Sequence, residues 1–452
     1  MMTKSVNTRE LIVDMLLEIT RDGQYCHRVI SNTLEKYQYL SKQERSFMKR
    51  VVNGTIEHMI YIDYVLNHYS KVKINKCKPL IRCILRSGVY QLYFMDSVPA
   101  SAVCNEAVKI AQKRGFHNLK GFVNGVLRSI VREGCPVLLP SKESQEEYLS
   151  VKYSMPQWIV EKWLKAYGRD VTVQALEYFQ KEHPVTIRCN NSKLNGIELK
   201  EWLERDGVSV VKDTLLPDAY SIGGFDYLGG LSSFQEGAFA IQDISSMLVV
   251  EAAKIQKNDT VIDLCAAPGG KSMHAADKLQ GSGKVICGDV SEYKAGKILE
   301  NAERMHYHNV SVNVWDARVL EEELIEQADV VIADVPCSGL GVIGKKPDIK
   351  YRITPGSIAE LIPLQREILH TAQSYVKPGG VLMYSTCTVG REENQDNVQW
   401  FLQQHTDYEL EDFSSTLPEA FWGEEKGQLQ LFPGKNDTDG FFIAKLRRKQ
   451  NG

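Results

Sequence analysis

The stretch Val261-Ile262-Asp263-Leu264-Cys265-Ala266-Ala267-Pro268-Gly269-Gly270-Lys271 decides how the rest of the chain is read. Residues 261–264 hold three aliphatic side chains and neither Gly nor Pro, which predicts a short buried strand. A tight turn of small residues follows, and residues 272–279 predict a helix. A strand that enters a glycine turn and then a helix is a common cradle for a nucleotide-like ligand. The glycines admit the ligand close to the backbone, and the helix start presents unpaired N–H groups. A bare pair of glycines also marks an ordinary strand-to-helix turn, so the flanking sequence has to choose.

Downstream, apolar runs predict further strands at 285–288, 310–314, 330–333 and 381–384, mostly separated by helical patterns. Repeated strand–helix units imply a parallel sheet covered on both faces, a Rossmann-like α/β domain. Residues 440–445 predict a last strand that closes the sheet antiparallel. In such sheets ligands bind beyond the carboxyl ends of the strands. Those ends carry C-A-A-P-G-G-K after the first strand, Asp289 after the second and Asp316 after the third. Asp334, Pro336 and Cys337 follow the fourth, and Thr386 and Cys387 the fifth. Asp289 lies about twenty residues beyond the glycines, where a carboxylate accepts from ribose hydroxyls.

Neither G-x-x-x-x-G-K-[ST] nor G-x-G-x-x-G fits the opening stretch, and three strand-end acids leave little use for a phosphate chain. The ligand suggested is a nucleoside cofactor without phosphates. S-adenosyl-L-methionine fits, because its sulfonium tolerates nearby carboxylates. Two thiols at neighbouring strand ends add a second element. Carbon 5 of a pyrimidine is a poor nucleophile, and a thiolate adding to carbon 6 makes it enamine-like and able to take a methyl group. A carboxylic acid at ring nitrogen 3 assists this addition, and Asp334, three residues before Cys337, suits that role. The chemistry alone does not choose between Cys337 and Cys387 as nucleophile.

Upstream, the chain reads as helix after helix to about residue 138. Asn7 with Glu10, and Ser41 with Glu44, supply capping boxes ahead of apolar faces. Further helices are predicted from Pro79, from Pro99 to near Gly115, and from 119 to Gly134. Residues 1–135 contain 21 Lys and Arg against 11 Asp and Glu, about +10, on a chain of net charge −3. A basic module on an acidic chain predicts an anionic partner, most simply nucleic acid. Residues 135–150 read as a polar linker, and 150–230 as a small α+β connecting domain whose Tyr153, Trp158 and Trp163 have core spacing.

The 452 residues imply several domains. No apolar run spans a bilayer and no leader is evident, so a cytoplasmic setting without membrane is expected. The ten cysteines form no C-x-x-C pair and show no zinc spacing, so reduced thiols and no metal are expected.

Four stretches carry a family resemblance: D-L-C-A-A-P-G-G-K, D-V-P-C-S-G-L-G-V-I-G-K-K-P-D-I-K, Y-S-T-C-T-V-G-R-E-E-N and D-G-F-F-I-A-K-L. Residues 234–445 resemble the RNA 5-methylcytosine methyltransferases of the RsmB and NOL1/NOP2/Sun type. The run R-G-F-H-N-L-K-G-F-V-N-G-V-L-R resembles the last helices of NusB-like RNA-binding domains, which narrows the resemblance to the RsmB branch. The fold implied is multidomain: an all-α NusB-like domain at 1–138, the α+β domain at 150–230 and a class I methyltransferase domain at 231–452. The resemblance implies methyl transfer from S-adenosyl-L-methionine to carbon 5 of a cytosine in 16S rRNA through a cysteine adduct, leaving S-adenosyl-L-homocysteine. It implies that Cys265, Ala266, Ala267, Pro268, Gly269, Gly270, Lys271, Asp289, Asp316 and Asp334 bind the cofactor. It makes Cys387 the nucleophile and Cys337 the thiol that assists elimination and product release. Lys345, Lys346 and Lys350 are expected to guide the RNA backbone, with Tyr351 able to stack. The alternatives are the same chemistry on tRNA, or a non-enzymatic NusB-like assembly factor.

Overall fold

The computed structural model describes residues 6–422, 425–435 and 437–450. The chain divides into two compact units, Met1–Gln180 with Ile343–Arg352, and Lys181–Val342 with Ile353–Gly452.

The first unit is helical: α1 (Thr8–Thr20), α2 (Cys26–Lys36), α3 (Lys42–Glu57), α4 (Met59–Tyr69), α5 (Pro79–Phe94), α6 (Ala100–Lys113), α7 (Lys120–Arg132), α8 (Gln145–Lys152) and α9 (Gln157–Tyr178). Helix α5 is its axis, with every residue from Cys83 to Gln91 buried. The Ser41–Glu44 capping box forms, while Asn7 caps α1 by accepting from the Arg9 and Glu10 N–H groups. Gly54 is where α3 meets α5, since a Cβ there would fall 2.1 Å from the Tyr90 ring. Helices α2 and α4 escape a periodicity reading. Helix α2 buries only Cys26, Val29 and Ile30, too short an apolar face to stand out. Part of the expected linker is α8, which buries Leu149 and Val151.

The segment 343–352, which leaves the methyltransferase-like sequence after Cys337, belongs to this helical unit. Asp348 accepts from the Cys26 N–H and from Arg352 Nε, both at 3.1 Å. Lys350 is 2% exposed, and its Nζ donates to the Glu57 carbonyl at 2.8 Å. Burial pulls its ammonium down to about 7. Tyr351 packs against the helical core. The expectation that Lys350 guides RNA is therefore overturned, because the helices bury it; Tyr351 is half-buried against them, and Lys345 and Lys346 are exposed.

The second unit opens with a small antiparallel sheet of β1 (Val185–Cys189), β2 (Ser209–Lys212), β3 (Ala219–Gly223) and β4 (Phe239–Ile241), in the order β2-β3-β1-β4, with α10 (Gly196–Arg205) packed on it. A one-turn helix, α11 (Ser232–Gln235), precedes β4. The large sheet comprises β5 (Thr260–Asp263), β6 (Lys284–Asp289), β7 (Val310–Val314), β8 (Ala328–Asp334), β9 (Val376–Thr386), β10 (Tyr408–Leu410), β11 (Gln428–Leu431) and β12 (Phe441–Arg448). Its order is β10-β12-β9-β8-β5-β6-β7, with β11 also on β12. Strands β5 to β9 run parallel, and β12 pairs antiparallel with β9, as the sequence predicts.

Alternation along each strand feeds two cores. Val261, Val330, Ile332, Val381 and Met383 join one core with α12 (Ile244–Ala253), α13 (Gly270–Leu279) and α14 (Glu292–Arg304). Ile262, Val331, Ala333, Leu382 and Tyr384 face α15 (Pro355–Tyr375) and α16 (Gln395–Gln404). The chain steps outward from β5 to β7, then crosses back to β8. The strand order thus reverses at β5/β8, where open α/β sheets hold their ligands.

Candidate active site

The turn after β5 is shaped by contacts to its neighbours. Gly269 has φ +103°, and a Cβ there would meet Ile298 of α14 at 3.2 Å, so glycine is required on both counts. The Ala266 N–H donates to the Gly288 carbonyl at 2.9 Å. Asn301 of α14 donates to the Pro268 carbonyl at 2.9 Å. Helix α13 then starts at Gly270, so the turn ends on free N–H groups.

Asp289 closes β6 and is nearly buried. It accepts from the Ala267 N–H at 3.3 Å, the Val290 N–H at 2.8 Å and Lys294 Nζ at 2.9 Å. Asp263, at the end of β5, is buried as well. One of its oxygens accepts from Ser272 Oγ at 2.6 Å, and the other has no partner. Burial lifts this carboxyl to about 7. An unspent buried acceptor beside a glycine turn suits a ligand that carries donors, such as an amino group or a ribose. Asp316 stands apart: the Arg318 guanidinium grips it at 2.6 Å and pulls it down to about 2. Burial pushes the Cys265 thiol well up, consistent with a loop residue that does no chemistry.

Lys271, at the start of α13, reaches across the β5/β8 gap to Asp334, Nζ to carboxylate 2.7 Å. The other Asp334 oxygen accepts from Ser385 Oγ of β9 at 2.7 Å. Beside this pair the two thiols converge. Cys337 Sγ lies 3.1 Å from Cys387 Sγ, and the Cys387 N–H points at Cys337 Sγ from 3.3 Å. The Cys387 contact and burial hold the Cys337 thiol well above its ordinary value. Of two thiols this close, one proton comes off far more easily than the second.

The loops hold this geometry by close backbone approach. The Gly341 N–H donates to the Cys387 carbonyl at 3.0 Å, and a Cβ on Gly341 would fall 1.9 Å from the Gly440 carbonyl oxygen. Sequence reasoning did not single out Asp263, Ser338, Thr388, Glu393 or Asn394, all buried around the predicted residues. The hint available was the polar run beside each thiol, P-C-S and T-C-T followed by E-E-N, in stretches otherwise destined for the interior. Among the described residues, no three His, Cys, Asp or Glu side chains gather to hold a metal ion.

Comparison with known proteins follows the same architecture. Family models match over residues 6–132 (NusB family), 155–224 (ferredoxin-like domain of RsmF/B-like methyltransferases) and 250–447 (16S rRNA methyltransferase RsmB/F). The chain is 36% identical to the Bacillus subtilis protein named "Probable ribosomal RNA small subunit methyltransferase B", over 99% of this chain and all of that one. A Synechocystis protein of the same name is 32% identical, over 98% of this chain and all of its own length. Among solved structures, PH0851 superposes with a TM-score of 0.83 at 28% identity, covering 98% of this chain and 99% of that one. NSun6 from Pyrococcus horikoshii, solved with SFG, shares the fold at 24% identity and a TM-score of 0.57, over 66% of this chain and 99% of its own. With likeness over the full length at this identity, the chain belongs to the ribosomal RNA small subunit methyltransferase B family.

Proposed function

We propose that the protein transfers a methyl group to carbon 5 of a cytosine in 16S rRNA, in the cytoplasm, through a transient bond between Cys387 and carbon 6. The observation that carries this reading is the pair of strand-end thiols 3.1 Å apart, beside the Lys271–Asp334 pair. S-adenosyl-L-methionine, when bound, supplies an electrophilic methyl group on a sulfonium. The turn 265–271, Asp289 and the unpartnered Asp263 oxygen are the groups suited to hold it, with Asp316 the outlying member of the set.

The target base must leave its stack to enter this site. The Cys387 sulfur then forms a bond to carbon 6, and the ring electrons move to carbon 5, which takes the methyl group. Loss of the carbon 5 proton to a base returns the electrons, breaks the carbon 6–sulfur bond and frees Cys387. Cys337 keeps its proton in this scheme and assists the elimination. In this reading Asp334, which accepts from Lys271 and Ser385, is the group that hydrogen-bonds the ring edge and activates carbon 6. The helical domain at 1–138 supplies RNA affinity, and the 150–230 domain joins it to the catalytic domain at 231–452.

The test is transfer of labelled methyl groups from S-adenosyl-L-methionine to unmodified small-subunit rRNA, with bisulfite sequencing of the product. One modified cytosine is expected with the wild type and none with Cys387→Ala. Full transfer by that variant overturns the adduct, and labelling of tRNA in place of rRNA moves the substrate.

A further inference from the structure

Glu393 has no part in the scheme above, yet it is fully buried one turn beyond Cys387. Burying a carboxylate costs several kcal/mol unless donors surround it. Three neutral donors do so here. One oxygen accepts from the Ser338 N–H at 2.8 Å and from Gln365 Nε2 at 3.0 Å. The other accepts from Ser338 Oγ at 2.5 Å. Because that hydroxyl gives its proton to the carboxylate, Thr388 Oγ1, 2.8 Å away, must donate to Ser338 Oγ. Gln365 Nε2 also reaches the Pro336 carbonyl at 3.0 Å, and Asn397 holds Gln365 from behind at 2.8 Å.

The destinations of these bonds are informative. Pro336 and Ser338 flank Cys337, and Thr388 follows Cys387. The carboxylate therefore ties the turn that carries one thiol to the turn that carries the other. The backbone is secured as well, with Asn394 accepting from Thr386 Oγ1 at 2.6 Å and donating to the Thr388 carbonyl at 3.2 Å. An apolar side chain would fill the same space without the cost of burying a charge. It would leave the Ser338 N–H buried without a partner, its hydroxyl bonded to Thr388 alone, and the Cys337 turn free to move.

We infer that Glu393 is a positioning residue: its carboxylate, acting through Ser338 and Thr388, sets the separation of Cys337 and Cys387 and so times the release of the RNA from Cys387. The release step rests on the cysteine-adduct reading; the spacing role does not.

The experiment uses the full chain and two readouts. Phenylarsine oxide, a trivalent arsenical that bridges two adjacent thiols, reports their spacing without any turnover. Wild type is expected to capture it, and Cys337→Ala to lose that capture. Glu393→Gln is expected to weaken capture about tenfold or more, as misplacement of a reacting group by a fraction of an ångström does to rates. In the transfer assay the same variant should lose kcat about 10- to 100-fold with KM for RNA within about twofold, while a slow-migrating RNA–protein adduct persists on denaturing gels. Wild-type arsenical capture by Glu393→Gln overturns the inference. If Glu393→Gln loses cooperative unfolding, Ser338→Ala decides by the same arsenical readout, with weakened capture in support and unchanged capture against. Altered capture in a protein that makes no 5-methylcytosine would leave the positioning role standing and remove the proposed reaction.

Discussion

The Cys387 N–H points at Cys337 Sγ from 3.3 Å, and the two sulfurs stand 3.1 Å apart. Two negative charges on sulfurs this close repel strongly, so the proposed mechanism has one thiol ionise and attack while the other keeps its proton. With Cys337 held protonated, Cys337→Ala should still form the bond to RNA and fail to release it. A stable RNA–protein adduct on a denaturing gel is the expected outcome. Its absence, with Cys387 intact, would assign the two roles the other way round.

Arg188 and Asp277 form an ion pair 2.6 Å long in which both side chains are almost fully buried. It joins β1 to α13 within the second unit. Asp277 also accepts from the Asn191 and Ser192 N–H groups, at 3.2 and 2.8 Å. Arg188→Met should lower stability by about 3–5 kcal/mol, because a buried carboxylate loses its cation. Arg188→Met with Asp277→Leu should recover part of that loss. Urea midpoints at a constant slope measure both.

His58 stacks on Phe94, ring centroids 4.2 Å apart, and burial followed by the nearby Lys350 lowers it to about 4. A histidine that stays neutral when folded binds its proton only after unfolding. Its contribution is therefore complete above the ordinary value of 6.5 and is lost as pH falls from there to about 4. About 3 kcal/mol should disappear across that window, at about 1.4 kcal/mol per pH unit. His58→Gln should flatten the profile of melting temperature against pH between these limits.

Lys345 and Lys346 are exposed, while Lys350 donates to the Glu57 carbonyl from the interior. If the exposed pair meets phosphate, Lys345→Ala and Lys346→Ala should each reduce the slope of log affinity against log salt by about 1. Lys350→Met should leave the slope unchanged, and a slope change in that variant would contradict its burial. Salt titrations of rRNA binding by filter retention distinguish these outcomes.

The sequence by itself determined the parts whose signal is local. Short, nearly continuous apolar runs marked the strands of the parallel sheet, because its central members β5, β8 and β9 are buried on both faces by helices. Glycine and proline marked the turn 265–271, and strand ends located Asp289, Asp334, Cys337 and Cys387 at one edge of the sheet. Only the tertiary structure decided what those residues meet. Ser338 and Glu393 are 55 positions apart, and their bond arises because β8 and β9 are neighbours in the sheet. Lys350 and Glu57 are 293 apart, so a lysine in a basic run looks available for RNA until a distant helix covers it. The separation of the two thiols depends likewise on strand order and on buried carboxylate–hydroxyl bonds, which leave no periodic trace in the chain.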